Sequence, residues 1–326
     1  MKVAFNTYPW AFCCPGGGEQ QIVYYRDFLP GAGVEVIPHD IWAPRLAEVD
    51  AVHFFSVMGG SSAFCGYVKA MGKPLVVSSS LWVTPETTGL YPIDEIRHQL
   101  SLANVIVPNS HREADALSSV LGLPRERFMP VYNGVDPLFA EPVPGALFRE
   151  RFGIEGDFIL NVGNIEPRKN QLGLVRAAQG LDLPVILVGH VREQAYFDQV
   201  MEEAQGRARY VGALAHEDPA LRSAYAACSV FVLPSTLETP GLAALEAAAT
   251  GARLVVTAEG STEEYFGDMV HYVDHTAPDD IRAKIQAALA APVAPALRER
   301  VLTRFLWPQV VKELRAVYAA AIGGTP

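Results

Sequence analysis

Cysteine is scarce in this sequence, basic charge is in deficit and long apolar runs are missing, and each shortage removes a class of function. Cysteine occurs four times in 326 residues, at Cys13, Cys14, Cys65 and Cys228, with no CxxC pair. A disulfide framework or a thiolate metal knuckle needs sulfur at closer, regular spacing, so free thiols in a reducing cytoplasm are expected. Lysine and arginine number 26 against 36 aspartates and glutamates, a net charge of −10. Nucleic-acid binding requires a basic stripe that replaces counterions, and electrostatic docking on anionic lipid requires the same sign of charge. No apolar run approaches the ~20 residues that cross a bilayer. The opening MKVAFNTYPW meets polar and proline residues too soon for a signal peptide and reads as a first strand.

What is present is a globular α/β pattern. Half of the residues are hydrophobic and 19% are charged, and a chain of this length exceeds what one hydrophobic core usually supports. Short apolar runs recur: KVAFN, VEVIP, DAVHFF, PLVVSS, NVIVPNS and FMPVYNG. Near-continuous runs of this kind suit parallel strands buried on both faces. The proline- and glycine-bearing stretch YNGVDPLFAEPVPG reads as a linker. Alternation then restarts with FILNVG, PVILVGH, ARYVGAL, SVFVLPS, RLVVTA and MVHYVD, and the tail RFLWPQVVKELRAVYAAAI is patterned as amphipathic helix. Two successive βαβ series predict two Rossmann-like α/β domains, residues 1–142 and 143–305, with 306–326 as a closing helix. Ligands of such sheets sit beyond the carboxyl ends of the strands, so a cleft between two facing domains is the expected site.

Three segments at strand ends carry chemistry. Gly16, Gly17 and Gly18 follow the first strand and precede a helix, a turn in which backbone amides can approach an anion. No Gly-Lys-Ser/Thr follows and no GxGxxG is formed, so a plain tight turn is an equal reading. In ILNVGNIEPRKNQ a strand ends at Gly163, Asn164 follows, and Arg168 and Lys169 open the next helix. A planar guanidinium beside a mobile ammonium suits a diphosphate. A solvated basic pair is the plain alternative, although cations at a helix start oppose its dipole. In LETPGLAALEAAATG, Glu238 and Glu246 lie eight positions apart, with Thr239, Pro240, Gly241 and Leu242 between them. Pro240 suits a first helical turn, and the amides of Gly241 and Leu242 would form an anion cradle. Glu246 needs a partner in an alanine-rich helix, and the paired hydroxyls of a ribose fit. A cap at Glu238 and a buried ion pair at Glu246 are the structural alternative.

The spacing Glu-x7-Glu at Glu238 and Glu246, with PGGGE, PNSHREADAL, VYNGVDPLF and VGNIEPRKNQ in collinear order, resembles the retaining glycosyltransferases of family 4. The likeness covers nearly the whole chain. It implies a GT-B fold with an N-terminal acceptor domain and a C-terminal donor domain. It also implies transfer of a sugar from a nucleoside diphosphate to an acceptor hydroxyl, with the anomeric configuration retained. Arg168 and Lys169 would hold the donor diphosphate beside Gly163 and Asn164, assisted by the turn from Thr239 and Pro240 to the amides of Gly241 and Leu242. Glu246 would bind the ribose and Glu238 the hydroxyls of the donor sugar. Ala213 and Leu214 would meet the nucleobase, and Gly16 and Gly17 would lie near the phosphates and acceptor. The helix around Trp307 would cross back onto the first domain. Two positions depart from the family pattern: Asn164 stands where many members have arginine, and PLVVSSSLWVT lacks a histidine that many carry. Acceptor-side candidates are therefore Ser80, Trp82 and His53, the last equally readable as a core histidine.

The expected catalysis is electrostatic, because the leaving diphosphate carries the developing charge, and losing one preorganised donor typically costs ~10²–10³ in rate. No DxD-like or His/Cys cluster is apparent, so no metal or other cofactor is expected and the nucleoside-diphosphate sugar is a donor substrate. A saccharide, a lipid-linked species or a small molecule would be the acceptor, in polysaccharide, glycolipid or glycoconjugate synthesis. Aromatic residues such as Tyr8, Trp10, Phe12, Tyr67 and Tyr91 would meet it or fill the core. Nucleic acid is not expected, and membrane contact is at most peripheral. A nucleotide-sugar-binding protein that has lost turnover is the competing reading. A two-domain dehydrogenase fails for want of GxGxxG with an acidic residue about 20 positions on.

Overall fold

The computed structural model describes residues 1–13, 16–58, 60–293 and 295–324. The chain divides into two compact units, Met1–Gly134 together with the chain from Trp307, and Val135–Leu306. The first unit is built on β1 (Lys2–Thr7), β2 (Glu35–Pro38), β3 (Ala51–Phe55), β4 (Leu75–Ser78) and β5 (Val105–Val107). They form one parallel sheet in the order β2-β1-β3-β4-β5. Its crossover helices are α1 (Gly17–Phe28), α2 (Ser62–Ala70), α3 (Ile93–Leu102) and α4 (His111–Leu121). Every residue of β3 and β4 is buried, so these strands are apolar at successive positions and do not alternate. On one face Val52, Phe54 and Val77 pack against Ile96, Leu100 and Leu117.

The second unit carries β6 (Ile159–Val162), β7 (Val185–Val188), β8 (Ala208–Tyr210), β9 (Val230–Leu233), β10 (Leu254–Thr257) and β11 (His271–Val273). They too are parallel, in the order β11-β10-β9-β6-β7-β8. Its helices are α5 (Ala146–Phe152), α6 (Gln171–Ala178), α7 (Gln194–Ala204) and α8 (Pro219–Ala227). After them come α9 (Leu242–Thr250), α10 (Thr262–Phe266), α11 (Pro278–Ala290) and α12 (Pro295–Arg304). This is the Rossmann strand order, with its direction reversing between β6 and β9. In the first unit the reversal falls between β1 and β3.

The last helix, α13 (Trp307–Gly323), belongs to the first unit. Trp307 is fully buried, stacked on Tyr24 at a centroid distance of 5.0 Å and edge-on to Tyr25 at 5.4 Å. Burying such a side chain is worth roughly 1.5–3 kcal/mol. Gly134 makes room for it, since a Cβ there would stand 2.6 Å from the indole. The second unit begins at Val135, earlier than the prolines suggest. Val135 N–H donates to the Phe305 carbonyl at 2.7 Å, Arg222 donates to the Leu138 carbonyl at 3.1 Å, and Phe139 is buried. Prolines interrupt helix and strand there without depriving the segment of tertiary partners. Cys65 is buried, Cys228 half-buried and Cys13 exposed, all as free thiols, while Cys14 lies outside the described residues. No helix among the described residues is long and apolar enough to cross a membrane.

Candidate active site

At the carboxyl end of β6 the chain makes one turn of 3₁₀ helix, Pro167–Lys169, before α6. Arg168 and Lys169 thus stand ahead of the α-helix and not in its first turn. Asn170, in the left-handed region at φ 55°, is the cap, its Oδ1 accepting from Gly173 N–H at 3.1 Å. Its Nδ2 donates to the carbonyls of Pro234 at 3.0 Å and His275 at 2.8 Å. One amide side chain therefore ties the cationic turn to the loops after β9 and β11. The Arg168 carbonyl accepts from Thr236 N–H at 2.9 Å, and Arg168 Nη1 donates to the Leu237 carbonyl at 3.3 Å.

The loop after β9 brings Glu238 to that turn. Glu238 is 5% exposed, and its Oε1 lies 2.5 Å from Lys169 Nζ, 2.6 Å from Ser235 Oγ and 3.9 Å from Arg168 Nη1. Burial alone would raise this carboxyl, but Lys169 first and Arg168 second hold it below the ordinary glutamate value. Its backbone is bridged to the loop before α10, Glu238 N–H to Glu259 C=O at 3.2 Å and Ser261 N–H to Glu238 C=O at 3.0 Å. The Thr239–Pro240 peptide is cis, and Pro240 precedes the helix where a first-turn position was expected. Gly241, at φ 84°, is the N-cap of α9 and offers no capping side chain. The glycine takes a backbone angle that side chains disfavour and leaves the first-turn amides of α9, beginning at Leu242, uncapped by a side chain. Glu166 lies 3.2 Å from Arg168 Nη2 and 3.4 Å from Arg192 Nη1. With its amide oxygen turned toward the guanidinium, Asn164 accepts from Arg192 Nε at 3.0 Å. The cluster holds three cations against two carboxylates, an excess of positive charge at the strand-order reversal.

Glu246 sits in the second turn of α9 and belongs to a neighbouring group. Its Oε2 accepts from Tyr225 Oη–H at 2.7 Å, and its Oε1 lies 3.5 Å from His216 Nδ1. Burial raises its pKa above the usual value, with His216 and Tyr225 offsetting part of the rise. Exposed Ala213 and half-buried Leu214 lie in the loop after β8, just ahead of His216. Gly163 adjoins the cationic turn, where a Cβ would meet the methylenes of Lys169 at 3.6 Å.

The remaining predicted positions lie in the first unit. Gly16 is the N-cap of α1 and Gly17 its first residue. Glu19 occupies that turn, its Oε2 accepting from Gly16 N–H at 2.7 Å and its Oε1 from Tyr8 Oη–H at 2.8 Å. Ser80 is exposed at the end of β4 and Trp82 is half-buried. His53 is not an acceptor-side residue. It is 0% exposed, with Nδ1 2.7 Å from Tyr318 Oη and Nε2 2.9 Å from Ser78 Oγ, and burial pushes its pKa down to about 3. It is a neutral core histidine that joins β3, β4 and α13.

Residues 147–302 match the family model described as Glycosyl transferases group 1. D-inositol 3-phosphate glycosyltransferase 1 of Catenulispora acidiphila is 31% identical over 310 residues, which span 85% of this chain and 73% of the relative. The chain belongs to this family. O-antigen chain mannosyltransferase B of Escherichia coli is 36% identical over 141 residues, 40% of this chain and 36% of the relative. Among solved structures, Anabaena HepE in complex with UDP gives a TM-score of 0.78 at 20% identity, covering 98% of this chain and 100% of that one. Sucrose-phosphate synthase from Thermosynechococcus elongatus gives 0.78 at 19% identity, covering 99% of both chains. The fold is of the GT-B class, two Rossmann-like α/β units.

This glycosyltransferase steadies its cationic turn with Arg192 and Asn170 and its Glu246 with Tyr225, residues that the sequence reading did not single out. Arg192, on the loop after β7, is far from the turn in the chain and reads as an ordinary surface charge. Tyr225 lies on the buried face of α8, where an aromatic at helical spacing is indistinguishable from core. Asn170 was legible in principle, since an asparagine three residues before a glycine-bearing helical turn is a cap signal. Among the described residues no three His, Cys, Asp or Glu side chains gather as a metal site.

Proposed function

We propose that this glycosyltransferase moves a sugar from a nucleoside diphosphate to an acceptor hydroxyl with retention of configuration, in polysaccharide, glycolipid or glycoconjugate synthesis. The observation that carries the reading is the meeting of Arg168, Lys169 and Glu238 at the carboxyl ends of β6 and β9. That reversal point is where open α/β sheets receive ligands. Support comes from HepE, solved in complex with UDP and, in a further structure, with UDP-glucose.

In the mechanism, Arg168 and Lys169 bind the diphosphate and oppose the charge that grows on it as the glycosidic bond breaks. The uncapped amides of α9, from Leu242, add fixed dipoles of the same sign. Lys169 already donates to Glu238, but an ammonium has three hydrogens, so this contact aims the group and leaves donors for phosphate. Glu238, kept ionised, accepts hydrogen bonds from the hydroxyls of the donor sugar. Glu246, anchored through Oε2 by Tyr225, presents Oε1 to the ribose, with Ala213 and Leu214 beside the base. The acceptor oxygen bonds the anomeric carbon on the face that the diphosphate leaves, which retains the configuration, and the departing phosphate oxygen takes the acceptor proton. Charge neutralisation by side chains asks no metal ion for that work.

A thermal-shift and hydrolysis panel of UDP-, GDP- and ADP-sugars tests this, with wild type against Arg168→Ala and Glu246→Ala. One nucleotide class should raise the melting temperature and be slowly cleaved, and both effects should fall in the variants. Stabilisation that never leads to cleavage or transfer, with any acceptor, would point instead to a nucleotide-sugar-binding protein without turnover. No shift with any nucleotide sinks the diphosphate site.

A further inference from the structure

We infer that the acceptor is a neutral saccharide, received at the carboxyl edge of the first unit's sheet by exposed aromatic rings and uncharged hydroxyl and amide groups. The inference rests on the transfer reaction proposed above and names its second substrate.

Strand order reverses between β1 and β3, so a ligand-sized crevice is expected beyond their carboxyl ends. Just past β1, Trp10 is 57% and Phe12 53% exposed, with Tyr8 edge-on to Trp10 at 5.7 Å. Rings left in water at such a point offer flat, polarisable faces to the C–H side of a sugar. At the ends of β3 and β4 stand Ser56 at φ 100° and Ser80 at φ 42°, the non-glycine residues with positive φ among those described in this unit. Backbone strain of this kind collects at functional sites because the surrounding fold must sustain it. Ser80 Oγ lies only loosely against buried amides, 3.4 Å from Gln21 Oε1 and 3.5 Å from Asn109 Nδ2. A sugar hydroxyl at ordinary hydrogen-bonding distance would be a better partner.

Basic charge is concentrated at the other edge. Lys2 and Lys73 stand where strands begin, and Arg26 and Lys69 where α1 and α2 end. Arg97 donates to the Leu121 carbonyl at the end of α4, and Arg127 to the Leu100 and Ser101 carbonyls at the end of α3. In a parallel α/β unit, strand starts and helix ends share the amino edge. The carboxyl edge carries Glu19, Asp94, Glu95 and Glu113 in first helical turns and Glu86 on the loop after β4, against Arg112 and His111 at the start of α4. A phosphate monoester there would lose hydration and meet more carboxylates than cations, so the repayment in charge-assisted hydrogen bonds is small. The charge pattern therefore disfavours an acceptor such as D-inositol 3-phosphate, whereas a neutral glycoside brings no like charge to this edge.

Ligand-observed NMR on the full chain, with and without a saturating nucleoside diphosphate, compares neutral mono- and disaccharides with D-inositol 3-phosphate and glucose 6-phosphate. Neutral sugars should bind at least tenfold more tightly than phosphorylated ones. Trp10→Ala and Ser80→Ala should each weaken them about tenfold while the melting temperature is kept, Trp10 being exposed and Ser80 on the rim. Preferential binding of the phosphorylated compounds, no binding of any neutral sugar, or binding that Trp10→Ala leaves unchanged would overturn the inference. Failure of the transfer reaction itself reads out separately, as the inability of wild type to bind any nucleoside diphosphate.

Discussion

Replacing Lys169 by methionine removes one charge and keeps the methylene stem, and the consequences follow from the burial of its partner. Glu238 is 5% exposed and Lys169 has a side-chain exposure of 13%, so solvent screening is small. Removing one member of a buried pair costs about 3–5 kcal/mol in general, because the other charge is left uncompensated. Ser235 Oγ at 2.6 Å and half-exposed Arg168 at 3.9 Å remain and compensate part of the charge, which brings the expected loss below that range, to about 2–3 kcal/mol. For a unit of this size that corresponds to a fall in Tm of roughly 5–10 °C. The pH dependence has a definite sign. In wild type the folded-state pKa of Glu238 is lowered, so its stabilisation is present above the unfolded value of about 4.3 and disappears as pH falls below it. Without Lys169, desolvation dominates, the folded pKa moves up, and the ionised carboxylate weighs against folding at neutral pH. The deficit of Lys169→Met should therefore be larger at neutral pH than in weak acid, and Lys169→Met/Glu238→Gln should regain most of it. Calorimetric melting of the three proteins at two pH values decides the matter. A single variant as stable as wild type, or a double variant with no recovery, would refute the buried-pair reasoning.

Two further outcomes are expected. Burial raises the pKa of Glu246, and only its ionised form accepts from ribose hydroxyls without giving up an oxygen to a proton. Nucleoside-diphosphate affinity should therefore tighten as pH rises, over a range displaced above that of an ordinary glutamate. Glu246→Gln should flatten that profile and weaken binding by about tenfold or more, as loss of a hydrogen bond to a charged group does; titration calorimetry measures both. Trp307→Ala should cost about 3–5 kcal/mol in urea unfolding by emptying the seat of α13. Trp307→Phe should cost less, because the buried indole N–H has no hydrogen-bond partner among the described residues and its removal leaves nothing unsatisfied.

The sequence by itself determined the α/β class and the placement of the chemistry along the chain. Parallel strands buried on both faces must be apolar at consecutive positions, and VILV and VFVL show it without any neighbour's help. Loops that follow strands in a βαβ series all emerge on one edge, so Arg168, Lys169 and Glu238 had to share it. Pairing was a different matter. Lys169 and Glu238 are separated by 69 positions, Tyr225 and Glu246 by 21, and His53 and Tyr318 by 265. Periodicity reports a residue's own element over a few turns, whereas an ion pair or a shifted pKa depends on distances through space. His53 shows the limit most plainly. Its strand is equally compatible with a ring at the site or in the core, and only the docking of α13, which sets Tyr318 against Nδ1, makes it a core residue. The linker reading failed for the same reason, since proline content describes the backbone of 135–145 and not the carbonyl of Phe305 that receives Val135. Only the tertiary structure could assign these partners, because each is supplied by a segment that local sequence does not see.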